Sequence, residues 1–310
     1  MSAAGMDSAG YTSGMGLLPP MPITLGNMTT SVPPDDLPAW DNATSYALGD
    51  DVLEQDTRVI YRSLADSNKG NPLSDSAKWQ PRGVENRLRM FDASLGTWTE
   101  ADDAIEVEIT PGRIVTDLQL LGVHAYDVQI TMHDPAAGLI YDTGALRMLR
   151  PSGNSHWGYF FHPIEWDNKL LAAALPAYVG ARITVRIRNP GARARCAVLV
   201  LGRALWLGDT YWRPTIGFDD WSQKTRDDWG GWIVQPGPSS DRMKLQVLMR
   251  GQQYERAREL ILPYRSTPVV WFGARGIDAL TTYGYVTSFE QVLTAHGYSD
   301  INMTIEGLES

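Results

Sequence analysis

Large aromatic residues recur between residues 40 and 83, separated by Gly-Asp and Gly-x-Pro turn signals, and this pattern limits what the segment can become. The recurring residues are Trp40, Tyr46, Tyr61 and Trp79. A segment of ~45 residues buries a small share of its surface, so a few large side chains must supply most of its core area. The spacing therefore predicts a small β-module built around these four rings.

The same segment resembles the small chitin-binding module of carbohydrate-binding families five and twelve. The matching elements follow in order as Trp40, Tyr46, Gly49-Asp50, Val52, Tyr61, Gly70 with Pro72, and Trp79. The resemblance implies exposed aromatics after the second tyrosine that stack on sugar rings, but residues 62–68 contain no aromatic. We expect the four rings to be core residues of the module, with carbohydrate binding by the same four as the alternative.

Bulk properties narrow the class of protein. A chain of 310 residues suggests two or three domains. Its net charge of −9 argues against a general nucleic-acid binder, which needs a basic face. A single cysteine, Cys196, excludes an internal disulfide. Residues 1–16 show no secretory signal, and no run approaches the ~18 apolar residues of a membrane span. We therefore expect a protein made in the cytoplasm, with no nucleic-acid partner and no membrane insertion.

The chain divides into four parts, and together they predict a mainly β, multidomain protein. Residues 1–35 form a Pro/Gly-rich extended arm, expected to lie along a neighbouring subunit, with a free tail as the alternative. Residues 36–83 form the chitin-binding-like β-module. Residues 84–206 alternate apolar and polar in several segments with Pro/Gly turns, which predicts a β-sandwich of jelly-roll type. Residues 207–310 predict an α+β domain in β-α-β-β-β order.

The clearest strand signal lies in residues 181–201. Asn189-Pro190-Gly191 is a turn signal, so we expect a hairpin of two strands here. Period-two alternation places Ile183, Val185 and Ile187 inward. It places a row of arginines on the opposite face: Arg182, Arg186 and Arg188, followed on the second strand by Arg193 and Arg195. This basic row is either a solvated face or a docking surface for an acidic partner subunit, such as the acidic segment 35–56 of a neighbour.

Tryptophan is concentrated in residues 206–232. The cluster consists of Trp206, Trp212, Trp221, Trp229 and Trp232, with Asp219-Asp220 and Asp227-Asp228 between them. Such aromatics suit a subunit interface, where tryptophan and arginine carry much of the binding energy. Aromatics beside paired carboxylates also occur in the clefts of glycoside hydrolases. We expect an interface, and keep hydrolysis as a less favoured alternative.

Other catalytic patterns are missing from the sequence. There is no Gly-rich phosphate loop and no Gly-x-Ser-x-Gly elbow. None of the five histidines forms a pair at helical metal-ligand spacing, and Cys196 lies in an apolar strand typical of a core residue. We therefore expect no catalytic residues, no metal and no cofactor, and a protein that is not an enzyme.

The order of parts resembles the tail or baseplate proteins of tailed bacteriophages. The residues that carry this resemblance run from Leu201 to Asp219 and include Gly202-Arg203, Gly208, Trp212-Arg213-Pro214 and Gly217. A strand-helix-strand unit follows, and phage tail proteins often carry small chitin-binding-like modules. The resemblance implies a structural virion protein of the tail, baseplate or tail fibre, forming a homo-oligomer and contacting other virion subunits. A carbohydrate-binding adhesin that recognises a host glycan is the alternative function.

Overall fold

The computed structural model describes residues 14–150, 165–211, 213–227, 229–250, 255–274, 277–295 and 297–309. Strands make up 54% of the chain and helices 7%, arranged in several sheets, which confirms the expected mainly β, multidomain class. The first strands are β1 (Gly14–Leu18), β2 (Met28–Thr30), β3 (Asp51–Leu53), β4 (Val59–Ser63), β5 (Trp79–Val84), β6 (Thr99–Ile109), β7 (Asp117–His124), β8 (Asp127–Asp134), β9 (Gly138–Asp142), β10 (Leu146–Arg147) and β11 (Leu149–Arg150). The remaining strands are β12 (Glu165–Trp166), β13 (Lys169–Ala172), β14 (Arg182–Gly202), β15 (Leu205–Thr210), β16 (Thr215–Asp220), β17 (Gln223–Arg226), β18 (Trp232–Gln235), β19 (Ser239–Arg250), β20 (Val269–Phe272), β21 (Thr281–Ala295) and β22 (Tyr298–Glu309).

Strand β14 organises the central sandwich. It pairs antiparallel with β6 along one edge from Ile183 to Cys196. Along its other edge it pairs first with β8 and then with β7. The first half of β14 confirms the predicted alternation, because Ile183, Val185 and Ile187 are buried, whereas Arg182 and Arg186 are exposed and Arg188 is half-buried. Residues of β6, β7, β8 and β14 together line one large apolar core.

The predicted hairpin at residues 189–191 is wrong. The strand does not turn back there, since Asn189 pairs with Asp103 and Arg193 pairs with Asp102 in the same antiparallel direction on β6. Three residues between them form a bulge, which Asp103 supports by accepting a hydrogen bond of 2.8 Å from the amide of Gly191. Gly191 has a φ of 76°, a conformation that glycine adopts without steric cost. The Asn-Pro-Gly sequence marks an interruption of the pairing between β14 and β6. The pairing resumes at Arg193, so the chain continues in the same direction beyond the bulge.

The apolar run at the end of β14 is explained by burial on both faces. Leu199 and Leu201 pack into the sandwich core. Val198 and Val200 face the other way, into a second cluster that includes Phe272 of β20. A strand covered on both sides has no solvent face that could carry polar residues, so its sequence loses the usual alternation.

The C-terminal strands close into a barrel. The ring runs β15-β1-β20-β21-β22-β19 and returns to β15, because β15 pairs with β1 on one edge and with β19 on the other. Its interior is apolar and contains Met15, Leu207, Leu245 and Trp271. Gly208 permits the closure, since a Cβ there would lie 2.5 Å from the carbonyl oxygen of Leu248.

The expected β-α-β-β-β order is present in β19 to β22. Helix α1 (Arg256–Ile261) follows β19 and packs Ala257 and Ile261 into the barrel core. Short 3-10 helices cover Asn86–Phe91, Leu262–Tyr264 and Asp278–Leu280. None of the helices in the described ranges is long and apolar enough to cross a membrane.

The N-terminal arm contacts its own chain. Residues 14–18 form β1, inserted between β15 and β20 of the barrel, and residues 28–30 form β2, paired with β6 of the sandwich. The expectation that this segment lies along a neighbouring subunit is therefore corrected for residues 14–35. Its apolar residues Met15, Leu17 and Leu18 are fully buried within this chain, which explains the order of the segment without a partner.

Candidate interaction surfaces

The small module encloses the predicted aromatic core. Trp79 is 1% exposed and Tyr46 is 6% exposed, and their rings meet edge to face with centroids 5.4 Å apart. Trp40 and Tyr61 pack against this pair and remain partly buried. The buried Tyr46 and Trp79 have no open ring face for a sugar, which corrects the alternative that all four rings bind carbohydrate.

Hydrogen bonds lock these rings in place. The indole Nε1 of Trp79 donates to the carbonyl oxygen of Asn71 at 3.1 Å, and the hydroxyl of Tyr46 accepts from the amide of Asp41 at 2.7 Å. The buried amide of Asn68 donates to Ser63 Oγ at 3.0 Å and to a backbone carbonyl. Every one of these bonds satisfies a polar group that packing would otherwise leave unpaired, which is typical of a structural core.

Charged residues join the module to the sandwich. The buried carboxylate of Glu85 lies between Arg58 and Arg87 and forms an ion pair with each of them. Asp35 accepts a hydrogen bond of 3.0 Å from the amide of Asn86 and lies 3.7 Å from Arg89. These contacts connect the arm, the module and the following 3-10 helix.

The row of arginines on β14 is neutralised within its own sheet. Arg182 and Arg186 pair with Glu108 and Glu106 of β6. Arg188 pairs with Asp127 of β8. Further along, Arg193 and Arg195 share Glu100, and Arg193 also contacts Asp102. The exposed face is thus a set of cross-strand ion pairs, in which the positive charges already have acidic neighbours.

Residues 215–244 form a long hairpin that extends the barrel. Its base is the pairing of β16 with the first half of β19, and its distal part is the pairing of β17 with β18. Every residue of β17 and β18 is exposed. A two-stranded ribbon is at best marginally stable in water when it packs against nothing. The distal part therefore needs a covering surface to bury its apolar side chains.

The hairpin carries large apolar side chains along its whole length. At its base Phe218 is 69% exposed, and at its tip Trp229 is 94% exposed. The exposed set consists of Ile216, Phe218, Trp221, Trp229, Trp232, Ile233 and Val234. Register places Trp232 and Val234 on one face of the ribbon and Ile233 on the other. Both faces of the ribbon are thus partly apolar.

The acidic residues of the hairpin have local partners. Asp219 lies 2.8 Å from Arg242, and Asp227 accepts hydrogen bonds from the turn amides of Trp229 and Gly231. The carboxylate of Asp220 accepts hydrogen bonds from Lys224 and Ser222, which hold its pKa well below the usual range. A glycoside hydrolase needs one carboxyl with a raised pKa as its general acid. Asp220 is shifted in the opposite direction, and Asp228 lies outside the described residues.

The remaining residues of the predicted interface differ in position. The Trp206 ring lies against β1, where a Cβ on Gly16 would approach its Cε3 to 2.9 Å, so one side of the ring is covered by this chain although the residue remains 39% exposed. Trp212 lies outside the described residues.

Cys196 is buried in the sandwich, and desolvation raises its thiol pKa to about 12. In the part of the chain that is described, no group of three or more His, Cys, Asp or Glu side chains is placed to hold a metal ion.

Sequence analysis missed several exposed residues. Phe218, Ile233 and Val234 were not singled out, although Trp232-Ile233-Val234 is a continuous apolar triplet flanked by polar residues. That triplet fits either a strand buried on both faces or a ribbon exposed on both, and the sequence gives no local sign of which occurs. Trp98, which is also exposed, was missed because it is a single aromatic in a polar loop.

Comparison with known proteins found no match: no family model, no curated protein and no solved structure resembles this chain.

Proposed function

We propose that this protein is a non-catalytic structural subunit of a bacteriophage tail or baseplate, and that its long hairpin joins it to a neighbouring copy of the chain. The observation that carries the proposal is the ribbon of β17 and β18, which is exposed along both strands and presents the apolar side chains of Trp232, Ile233 and Val234, with Trp229 at its tip. The phage assignment itself rests on the sequence resemblance of residues 201–219.

The physical case for an interface begins with the apolar area. Contiguous exposed apolar patches on soluble proteins usually mark interaction sites. Tryptophan is enriched among the residues that carry binding energy, and Trp229 and Trp232 are both exposed and three residues apart in the sequence. The guanidinium of Arg226 stacks 4.6 Å above the Trp232 ring, so the polar neighbours of the patch are already ordered on the free hairpin.

The shape of the hairpin favours a copy of the same chain as partner. A projecting ribbon that inserts into a neighbour, while the neighbour's ribbon inserts into the next subunit, gives a head-to-tail contact. Such contacts close into rings when the rotation between subunits permits it. Rings of identical subunits are an economical way to build a tail, and other virion subunits can then stack on them.

Mass measurements test the assembly. We expect the purified chain to form a defined oligomer by light scattering. The double substitution Trp229→Ser and Trp232→Ser should shift the mass toward the monomer without unfolding the sandwich or the barrel, because neither side chain packs in their cores. Leu139→Ser is the control, since Leu139 is about as exposed on the sandwich as Trp232 is on the ribbon but lies outside the hairpin. A wild-type monomer, or a double variant that assembles normally, would overturn the hairpin interface.

Fractionation tests the virion assignment separately. In tailed particles purified from cells that carry the gene, peptides of this chain should cofractionate with the tails. If the chain oligomerises but is missing from tails, the assembly proposal survives and the phage assignment fails.

A further inference from the structure

A cavity of about 300 Å³ lies where the sandwich meets the barrel. The loop of residues 92–98 supplies Leu95 and Trp98 to its wall. The sandwich adds Lys169 of β13, and the barrel adds Asp241 of β19 and Tyr283 of β21. Ligand pockets in proteins start at about this volume. The cavity involves neither the module rings nor the hairpin tip.

The loop that carries Trp98 is fixed by its own hydrogen bonds. The carboxylate of Asp92 accepts from the amide of Ser94 at 2.9 Å and from the hydroxyl of Thr97 at 2.7 Å. The amide of Gly96 donates to Ser94 Oγ at 3.2 Å. A loop held in this way presents Trp98, which is 43% exposed, without a large ordering cost on binding.

Polar groups of the cavity keep hydrogen-bonding capacity for a ligand. Lys169 Nζ and Asp241 Oδ2 are 3.9 Å apart, well beyond the ~2.7–2.9 Å of a charge-assisted hydrogen bond. Asn168 also lines the cavity and is exposed. The mostly buried Tyr283 makes no side-chain hydrogen bond among the described residues, and burial is the main cause of its raised pKa. Donors and acceptors thus lie next to an exposed indole ring.

We propose that this cavity binds a single neutral pyranose unit of a glycan. A pyranose has an apolar face of C–H groups that can lie on Trp98, and hydroxyl groups at its edge that both donate and accept hydrogen bonds. The ammonium, carboxylate and amide of the wall match those hydroxyls. The volume accommodates one sugar ring and leaves room for water.

Other ligand classes fit the walls less well. A purely apolar ligand would remove water from Lys169 and Asp241 without replacing their hydrogen bonds, which costs free energy. A strongly charged ligand would meet a wall whose two charges cancel. A neutral, polyhydroxylated ring satisfies the polar groups and covers the aromatic one.

Ligand-observed saturation-transfer NMR tests the proposal with glucose, galactose, mannose, rhamnose and N-acetylglucosamine as separate probes. We expect at least one sugar to bind the wild-type protein, and we expect Trp98→Ala and Asp241→Ala to weaken it about tenfold or more. Trp229→Ala is the matched control and should bind like the wild type, because Trp229 lies at the hairpin tip.

Two outcomes would overturn the proposal. One is that none of the five sugars binds. The other is that binding survives Trp98→Ala but is lost in Tyr61→Ala, which would place the site in the small module. Trp98 lies outside the hairpin, so a failure of sugar binding leaves the proposed assembly intact.

Discussion

At the scale of single residues, Trp79 is the largest fully buried side chain of the small module. Its ring is almost fully buried against Tyr46 and Val52, and its indole nitrogen is hydrogen-bonded to the backbone of Asn71. The module has three short strands and little other apolar area. Loss of one large ring therefore removes a large fraction of its stabilising contacts.

Trp79→Ala should destabilise the module by about 3–5 kcal/mol, through lost burial and the cavity left behind. Amide hydrogen exchange of residues 46–84, monitored at increasing urea concentrations, measures this loss of stability directly. Leu48→Ala in the same module is the control, because Leu48 is 61% exposed and should change stability little. A Trp79→Ala protein with unchanged exchange rates would show that the ring is not the core of the module.

At the scale of elements, β14 shows how far the sequence alone could lead. The alternation in residues 182–188 predicts the buried face of β14 correctly, because this first part of the strand has one face in the core and the other toward solvent. The turn signal at residues 189–191 was misleading, because a bulge and a hairpin turn need the same backbone freedom. What distinguishes them is pairing with β6, a strand about eighty residues earlier, and no local pattern carries that information.

Deleting Pro190, Gly191 and Ala192 tests whether this bulge is dispensable. The deletion joins Asn189 to Arg193, which already pair with adjacent residues of β6. It also keeps the side chains of Ile187 and Ala194 on the core face of the strand. We expect a folded protein that has lost about 1–3 kcal/mol, from the two hydrogen bonds of the bulge. Thermal unfolding monitored by circular dichroism measures the change.

Deleting Thr184 alone is the matched control. It lies in the regular part of β14, where the loss of one residue shifts one side of the strand to the opposite face of the sheet. This control should fail to fold. If the three-residue deletion fails as well, β14 requires the bulge in order to pair with β8 in its first half and with β7 in its second.

At the scale of the whole molecule, the fold depends on contacts between distant parts of the chain. The barrel strands β19 to β22 were found from the sequence, because each shows alternation or an apolar run. The closing strand β1 was assigned to an arm, because a short strand with two glycines and prolines after it resembles a linker. Its partners lie about 190 residues away in β15 and about 255 residues away in β20. The sequence predicts the aromatic cluster of residues 206–232, but it does not predict that residues 215–244 form a hairpin that projects from the barrel.

Truncation should show that β1 is part of the barrel. Removal of residues 1–18 takes away the buried side chains of Met15, Leu17 and Leu18, each worth about 1.5–3 kcal/mol, and leaves the facing edges of β15 and β20 unpaired. The summed loss approaches the ~5–15 kcal/mol that stabilises a typical protein, so we expect the barrel to unfold or the chain to aggregate. Removal of residues 1–13 is the control, since it leaves β1 whole, and this variant should retain the wild-type melting temperature. A folded, monodisperse protein lacking residues 1–18 would mean that the barrel closes without its first strand, and that the arm is free to bind elsewhere.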